Sequence, residues 1–330
     1  MQGKYLLFLF KISFFVFILT VYNNIKDFPE GLATVVSVGT FDGVHKGHQA
    51  ILRQMTDIAK KNNLVSVVLT FDPHPRYALE KDHEKLRLLS TTEEKIAQLK
   101  NSGIDHTIVI NFTPEFAKIP YEDFIKNYLV DSLGAKYIVI GFDHRFGENR
   151  SGNHQALIEL SAKYGYQVFE VKALFDNNSE ISSTKIRNLI RDRQIEQANV
   201  LLNYNYTLGG TVVKGTQTGK KLGFPTVNLS VDDPSKLIPA TGVYYVRIGI
   251  GNEMYDGMCN IGFKPTFEKQ PLTIETHIFK FNKDIYGENI RLYFISFIRN
   301  EQKFESANLL KAQLEQDKQN IIKKINEQRL

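Results

Sequence analysis

The chain has 330 residues, of which 42% are hydrophobic and 23% charged, a composition typical of a globular protein whose length predicts two domains. Its net charge of +5 at pH 7 suits anionic substrates, but no basic run or stripe argues for nucleic acid as a partner. The only cysteine, Cys259, excludes an intramolecular disulfide and fits a reducing cytoplasm.

The N-terminus carries an apolar stretch at residues 5–22, interrupted by Lys11, Ser13 and Thr20. A membrane-spanning helix needs about 20 apolar residues, and no small-residue cleavage site of a secretory signal follows. A weak membrane anchor and a translation start placed too far upstream remain as interpretations. We favour a misplaced start or a dispensable extension, and apart from this stretch we expect no membrane partner. No motif or strand is expected before Thr34.

From Thr34 onward, strands alternate with helices. Apolar, β-branched runs predict five strands, at residues 35–38, 65–71, 106–110, 136–140 and 167–171. Helical spacing predicts helices at residues 50–61, 121–133 and 153–164. Residues 90–93 read as a capping box with Ser90 as the cap and Glu93 as its partner, opening a helix that ends near Ser102. The alternation predicts a parallel sheet covered on both faces, with ligands beyond the carboxyl ends of its strands.

A glycine loop, Gly-Thr-Phe-Asp-Gly-Val-His-Lys-Gly-His at residues 39–48, joins the first of these strands to a helix. A helix N-terminus after such a loop offers N–H groups to an anion, most often a phosphate, with His45 and His48 as donors beside it. A tight turn alone is one alternative. A metal pair is another, although a metal needs further ligands that no Cys/His cluster supplies.

Three other loops follow strands on the same edge of the predicted sheet, at residues 70–75, 141–147 and 181–187. Taken singly, they read as a proline-stiffened turn, a solvated loop and a set of N-caps. Because all lie at strand ends on one side, we expect them to gather around the glycine loop.

These segments resemble the FMN adenylyltransferase module of bacterial riboflavin kinase/FAD synthetases. Residues 39–48 are similar to its G-x-F-D-G-x-H-x-G-H signature, residues 70–75 to T-F-x-P-H-P and residues 182–187 to S-S-T-x-I-R. Residues 141–147 resemble G-x-D-F-x-F-G, with His144 in place of the usual aromatic. The resemblance implies catalytic His45 and His48, and an ATP- and phosphate-binding set of Gly39, Phe41, Asp42, Gly43, His45, His48, Ser182, Ser183, Thr184 and Arg187. It implies a flavin-side set of Phe71, Pro73, His74, Pro75, Asp143 and Phe146.

The second half has a different pattern. After a charged, helix-like connector at residues 191–204, short strands are predicted at residues 206–214, 244–250, 254–261, 273–278 and 290–298. Apolar residues at helical spacing predict a closing amphipathic helix over residues 304–325. This half therefore predicts a small antiparallel β-barrel closed by a C-terminal helix.

Residues 210–228 of this half are rich in glycine, lysine and hydroxyl side chains, and by themselves read as a long hairpin. They resemble the riboflavin kinase signature G-x-V-x-x-G-x-x-x-G-R-x-L-G-F-P-T-A-N, with Lys220 for the arginine and Val227 for the alanine. The resemblance implies that Thr226 and Asn228 hold Mg²⁺ and phosphates, as oxygen ligands of a hard cation. It implies an ATP- and phosphate-binding set of Gly210, Lys214, Gly215, Gly219, Lys220, Gly223, Phe224, Pro225, Thr226 and Asn228.

Two further segments carry the same resemblance. Residues 260–267 match N-I-G-x-x-P-T-F, and residues 275–279 match E-T-H-I-F, in which the glutamate is the general base. Glu275 is thus implied as catalytic, and Asn260, Gly262 and Arg299 as flavin-side residues. Lys280 departs from the acidic or amide residue that often follows this motif.

The expected architecture is α/β plus all-β: a Rossmann-like nucleotidyltransferase sheet and a riboflavin kinase-like barrel. We expect an extension at residues 1–22, an adenylyltransferase domain at 23–190, a linker at 191–205 and a kinase domain at 206–330. The expected activity is ATP-dependent phosphorylation of riboflavin to FMN, then adenylylation of FMN to FAD, with Mg²⁺ as cofactor and a cytoplasmic location. A nucleotidyltransferase for another small phosphate and a non-catalytic flavin-binding regulator are the alternatives. The sequence is compatible with a homo-oligomer.

Overall fold

The computed structural model describes residues 19–79, 86–215, 218–263 and 272–327, without the side chains of Thr218 and Lys220. Within these ranges the chain forms a parallel sheet followed by a closed antiparallel barrel, as predicted, but each has six strands where five were predicted. In the same ranges, no helix is both long and apolar enough to cross a membrane. The apolar N-terminal stretch lies outside the described residues up to residue 18. A membrane anchor and a misplaced translation start therefore both stay as interpretations of it.

The first half is a parallel sheet with the strand order β1-β4-β3-β2-β5-β6. All five residues of β2 are buried, which is why this strand reads as an unbroken β-branched run rather than an alternating one. The strands are β1 (Thr20–Tyr22), β2 (Thr34–Val38), β3 (Val65–Asp72), β4 (His106–Asn111), β5 (Ala135–Gly141) and β6 (Gln167–Val171). A short hairpin follows, formed by β7 (Phe175–Asp176) and β8 (Ser179–Glu180).

Helices cover both faces of this sheet, and two apolar clusters lie on either side of it. They are α1 (Lys46–Asn62), α2 (Pro75–Leu79), α3 (Thr92–Asn101), α4 (Tyr121–Asp123), α5 (His154–Tyr164) and α6 (Ser183–Arg191). Directly after α4, residues Phe124–Ser132 form a π-helix, so the helix predicted over residues 121–133 exists but is wider than an α-helix for most of its length.

Two predictions for this half are wrong in detail. The capping box is formed by Thr91 and Glu94, each accepting from the other's backbone N–H, and not by Ser90 and Glu93. Ser90 instead serves the glycine loop, where its hydroxyl accepts from Gly43 N at 3.0 Å. A strand also precedes Thr34, because β1 pairs with β4 as the edge of the sheet.

The second half is a closed antiparallel barrel with the order β10-β13-β12-β11-β14-β9. Its strands are β9 (Thr207–Val213), β10 (Val227–Ser230), β11 (Gly242–Ile250), β12 (Glu253–Phe263), β13 (Leu272–Ile278) and β14 (Asn289–Arg299). A short helix, α8 (Thr218–Lys221), lies in the loop between β9 and β10. The closing helix, α9 (Ala307–Glu327), packs Ile321 against Met258 and Tyr245 on the outer face of the barrel.

The connector between the halves contains α7 (Ile195–Leu202), which packs against the barrel. Ile195, Ala198, Leu201 and Leu202 are buried on it and belong to the same apolar cluster as the barrel core. The connector is therefore a packed part of the fold, stabilised by burial of apolar surface.

Candidate active sites

The glycine loop joins β2 to α1 in a conformation that its surroundings impose. Gly43 has a φ of 79°, and a Cβ on it would lie 2.8 Å from Leu89 Cδ1, so no larger residue fits. Phe41 and Val44 also have positive φ angles, 49° and 35°, and both side chains are buried. Non-glycine residues hold such angles only where packing over-determines them, which is common at functional sites.

His45 and His48 stack at the start of α1, with ring centroids 3.8 Å apart and planes 20° from parallel. Burial lowers the pKa of His45 to about 4 and that of His48 well below its usual range, so both are neutral at pH 7. Nδ1 of each ring is buried and has no hydrogen-bond partner among the described residues. Because buried polar atoms are normally partnered, these two nitrogens mark a place for a ligand.

The same stacking argues against a metal pair. A ring nitrogen binds a metal along a lone pair in the ring plane, and two nearly parallel planes direct those lone pairs side by side instead of toward one ion. Over the described ranges, no group of three or more His, Cys, Asp or Glu could hold a metal.

Asp42 and Arg187 form a buried ion pair behind the glycine loop, with Arg187 Nη2 2.6 Å from Asp42 Oδ2. The other carboxylate oxygen, Oδ1, accepts from the backbone N–H groups of Leu89 and Ser90 at 2.9 and 3.1 Å. Arg187 Nε donates to the Arg87 carbonyl at 2.8 Å. These contacts fix both side chains behind the loop, and the contact with ATP or phosphate that the resemblance implies for them stays a prediction.

The S-S-T-x-I-R segment reaches the loop as predicted. Ser182 caps α6 by accepting from Lys185 N, and the Ser183 hydroxyl donates to the Asp42 carbonyl at 2.9 Å. Thr184 is exposed on the first turn of the helix. These contacts bring the start of α6, which follows the β7–β8 hairpin, next to the loop at the carboxyl end of β2. Ligands of parallel sheets bind at this edge.

The predicted flavin-side residues divide into two groups. His74 is half-buried just after β3, and burial lowers its pKa to about 4. Asp143 is exposed, and its charge acts on His45. Phe146, by contrast, is buried against Phe124 with ring centroids 5.8 Å apart, so its ring belongs to the core.

The other predicted flavin-side residues lie at the end of β3 or just after it. Phe71 packs edge-to-face on Phe112 at the end of β3, Pro73 is exposed and Pro75 begins α2. His144, the departure from the family pattern, stacks on Phe146 at 5.6 Å. The His144 ring therefore takes the place of the family's aromatic ring and stacks on Phe146 in its stead.

Lys95 is a site residue that the sequence patterns did not single out. It is 6% exposed, on the first turn of α3, and its Nζ donates to the Phe71 carbonyl at 3.0 Å. Its burial could have been predicted from its spacing from Leu99. Residues four apart share a helix face, and the apolar Leu99 is fully buried.

The second site lies on the barrel, where β10 and β13 pair. Asn228 is opposite Glu275, which is in turn opposite Asn260 on β12. Ile274 and Ile278 on β13 point into the barrel core, so the alternation of a strand places Glu275 on the outer face. Thr226 Oγ1 lies 3.5 Å from Glu275 Oε2. Thr226, Asn228 and Glu275 thus converge as the resemblance implied.

The glycine-rich loop between β9 and β10 folds back over these residues. A Cβ on Gly215 would collide with the amide of Asn228, and one on Gly219 would collide with the Phe224 carbonyl. Phe224 is buried beneath α9, and the Pro225 carbonyl accepts from His277 Nδ1 at 2.8 Å. Gly210 lies within β9 and Gly223 at a turn with φ 85°, while Lys214 is exposed and the Lys220 side chain lies outside the described part.

A cavity of about 450 Å³ opens beside Thr226. Its walls include Val227, Thr276, Asp284 and Tyr286. Thr226 therefore borders both the cavity and the carboxylate of Glu275. A concave, mainly apolar space with a few polar groups at its edge is the usual form of a small-molecule site.

Arg299, predicted on the flavin side, is bound elsewhere. Its Nε and Nη2 donate to the Asp317 carboxylate of α9 at 2.8–3.0 Å, and Nη1 donates to the Asn300 carbonyl. A Cβ on Gly262 would meet the carboxylate at the end of the exposed Glu301 side chain. Arg299 thus ties the end of β14 to the closing helix, and its flavin-side role stays a prediction. Residues 264–267 of the motif that contains Gly262 lie outside the described ranges.

A buried polar contact joins the two halves of the chain. Lys236, in the barrel half, donates from Nζ to Glu94 Oε2 and to the Leu89 carbonyl, both at 2.6 Å. Thr207 on β9 donates to Glu94 Oε1 at 3.1 Å. Since Leu89 and Glu94 flank the segment that holds Asp42, the barrel helps to position the glycine loop.

Two family models match the chain, one described as FAD synthetase over residues 29–185 and one as riboflavin kinase over residues 202–325. Three similar proteins are each named bifunctional riboflavin kinase/FMN adenylyltransferase. The one from Buchnera aphidicola subsp. Schizaphis graminum is 39% identical over 92% of this chain and 96% of its own. Those from Bacillus subtilis and Escherichia coli K12 are 37% and 33% identical, each over 89% of this chain and 93% of their own.

A solved structure from Streptococcus pneumoniae is also similar, with a TM-score of 0.84 and 34% identity over 92% of this chain and 98% of that one. Its title describes a macrolide-efflux protein. The two family models, which match both halves in the expected order, agree with the names of the other relatives and not with that title.

Proposed function

The chain belongs to the family of bifunctional riboflavin kinase/FMN adenylyltransferases, and from that premise we propose how its residues divide the two reactions. One half phosphorylates riboflavin with ATP to FMN, and the other adenylylates FMN to FAD with release of pyrophosphate. Both are displacements at phosphorus, in which a protein mainly positions the reactants and stabilises the developing charge.

The glycine loop of the parallel sheet carries adenylyl transfer. A phosphate oxygen of FMN attacks the α-phosphorus of ATP, and the bond from that phosphorus to the pyrophosphate breaks. His45 and His48 donate hydrogen bonds to phosphate oxygens whose charge grows along this path. The observation that carries this assignment is the pair of buried, unpartnered Nδ1 atoms at the start of α1. Asp42 and Arg187 hold the loop, and Ser182 and Ser183 border the same space.

The barrel carries the kinase reaction. Glu275 accepts the proton of the riboflavin 5′-hydroxyl as that oxygen attacks the γ-phosphorus of ATP and ADP leaves. The hydroxyl of Thr226 and the amide oxygen of Asn228 are hard ligands that suit Mg²⁺, which supplies charge neutralisation to the phosphates when bound. The pairing of Asn228 with Glu275, with Thr226 Oγ1 3.5 Å from that carboxylate, supports this division of roles.

We place the enzyme in the cytoplasm. Its one cysteine, Cys259, is a buried thiol whose pKa burial raises to about 12, so it stays a packing residue in a reducing compartment. Nothing in its charge pattern suits nucleic acid.

The test is incubation of the full chain with riboflavin and ATP, with Mg²⁺ and with EDTA in its place, followed by chromatography. We expect FMN to appear first and FAD after it with Mg²⁺, and neither with EDTA. FAD formed from supplied FMN, with riboflavin left unphosphorylated, would overturn the kinase assignment. Transfer of AMP to a different small phosphate in preference to FMN would favour the alternative nucleotidyltransferase.

A further inference from the structure

Lys95 occupies a position where the helix pattern requires an apolar residue. It lies four residues before Leu99 on α3, on the helix face that packs against the sheet, and only 6% of its surface is exposed. Lysine is rarely buried to this extent unless its charge is paired.

Its ammonium group has far fewer partners than it can bind. An ammonium has three N–H donors, and in the described part of the chain the only acceptor of Lys95 Nζ is the Phe71 carbonyl at 3.0 Å. No carboxylate among the described residues lies within ion-pair distance of it. A buried, unpaired cation is costly, so the folded chain holds a positive charge that a ligand must complete.

The surroundings of Lys95 identify the kind of ligand. The carboxylates that act on it are Asp42 and Asp72, and Lys95 in turn lowers the pKa of His48 and His74. Asp42 is already paired with Arg187. Asp72 is exposed and forms no ion pair with Lys95. The region between the glycine loop and the end of β3 therefore holds neutral imidazoles and a buried ammonium that no carboxylate of the described residues contacts, a set that suits an anion with several oxygens.

We propose that Lys95 binds a phosphate oxygen of the substrates of adenylyl transfer, at the side of the site formed by the end of β3. The proposal adds a residue to the site and rests on the adenylyltransferase activity of the family. Lys95 keeps its proton during the reaction. Its positive charge stabilises the negative charge that builds up as the new oxygen–phosphorus bond forms.

Two substrates carry phosphate oxygens, and kinetics separates them. Contact with the FMN phosphate predicts that loss of the charge raises KM for FMN, whereas contact with the ATP phosphates predicts that it raises KM for ATP. Both outcomes support a phosphate contact of Lys95. They differ only in which substrate makes it.

Three substitutions separate the charge from the hydrogen bond. Lys95→Gln keeps a donor for the Phe71 carbonyl and removes the charge, Lys95→Met removes both, and Lys95→Arg keeps the charge. Lys100→Met is the matched control, because Lys100 is exposed at the other end of the same helix. We expect kcat/KM for FAD formation to fall about 10²-fold in the Gln and Met variants, much less in the Arg variant and not at all in the control. Phosphorylation of riboflavin should be unchanged in all four.

The pH profile gives a readout that a purely structural role would not move. Burial lowers the pKa of Lys95 to about 8, so its charge is lost in the free enzyme above that pH. Wild-type kcat/KM for FAD formation should therefore decline as the pH rises through about 8, and Lys95→Arg should remove that decline because arginine stays charged.

Two results would overturn the proposal. One is FAD formation by Lys95→Gln within about threefold of wild type, because the loss of a direct phosphate donor costs far more. The other is an unchanged alkaline decline in Lys95→Arg. Should the variants fail to fold, calorimetry of FMN and ATP binding to the unaltered chain near pH 8.5 decides instead: binding next to Lys95 must take up protons, and binding without proton uptake refutes it.

Discussion

Glu275 lies on the outer face of the barrel between two amide side chains, opposite Asn228 on one neighbouring strand and Asn260 on the other. Glu275→Gln keeps the shape of this row of side chains and removes the basicity of the proposed general base. We expect FMN formation to fall about 10²–10⁴-fold, with little change in the conversion of supplied FMN to FAD. The two rates are measured by chromatography with riboflavin and with FMN as starting material.

Asp284 is the matched carboxylate for this test. It borders the cavity beside Thr226, and no contact with Glu275 brings it into the row. Asp284→Asn should therefore have a smaller effect on FMN formation than Glu275→Gln. A larger loss of FMN formation in Asp284→Asn than in Glu275→Gln would indicate that Asp284 is the general base.

His48 is the residue-scale test of the other site. Its neutral ring carries one N–H donor, and the loss of one preorganised donor typically costs about 10²–10³-fold in rate. We expect His48→Ala to make FMN from riboflavin at the normal rate and to accumulate it without FAD. An equal loss of FMN formation in a folded variant would mean that the two halves do not divide the work in this way.

At the scale of elements, β1 changes the expectation for the N-terminus. Tyr22 on this strand packs on Phe28 and His106 with ring centroids 5.6 and 5.8 Å apart. A chain beginning at Asn23 lacks β1 and exposes the edge of β4, so residues 20–22 are not part of a dispensable extension as the sequence had suggested. We expect it to melt at a lower temperature than a chain beginning at Leu19, and to lose FAD synthesis on warming before it loses FMN synthesis. Identical melting of the two chains would show that β1 is dispensable.

At the scale of the whole molecule, Lys236 connects the barrel to the adenylyltransferase site. The Lys236 and Glu94 side chains are 1% and 10% exposed, and removing one partner of such a buried pair typically costs about 3–5 kcal/mol. We expect Lys236→Met to lower the free energy of unfolding by an amount of that order and to slow FAD formation from FMN, although Lys236 lies in the kinase half. Denaturant unfolding and the two assays measure these effects.

Arg291→Met is the matched control, because Arg291 and Glu93 form an exposed pair across the same interface, 3.9 Å apart. Exposed pairs contribute only about 0–1 kcal/mol, so this variant should resemble wild type in stability and in both activities. Similar effects of the two substitutions would mean that the interface as a whole, and not the buried pair, positions the glycine loop.

Sequence patterns predicted most of the fold, because the signals that specify strands and helices are local. The β-branched runs of β2 and β3 are buried on both faces, and the capping residues Asn153 and Ser182 accept backbone N–H bonds where a helix start was expected. The glycine loop before His45 indicated a phosphate site from its own chemistry, whereas residues 210–228 alone indicated a hairpin and only the family resemblance implied a phosphate site at Thr226.

Partners distant in the sequence were decided only by the tertiary structure. Arg187 and Arg299 each form an ion pair with an aspartate, Asp42 or Asp317, that no local pattern connects to it, while their predicted substrate contacts stay predictions. The capping box lies one residue later than predicted, and the Ser90 hydroxyl accepts instead from Gly43, 47 residues away in the sequence. Lys95 was overlooked because a lysine in a charged helix normally faces water. Burial depends on what the whole chain packs around a residue, and a local pattern of charges and apolar side chains does not contain that information.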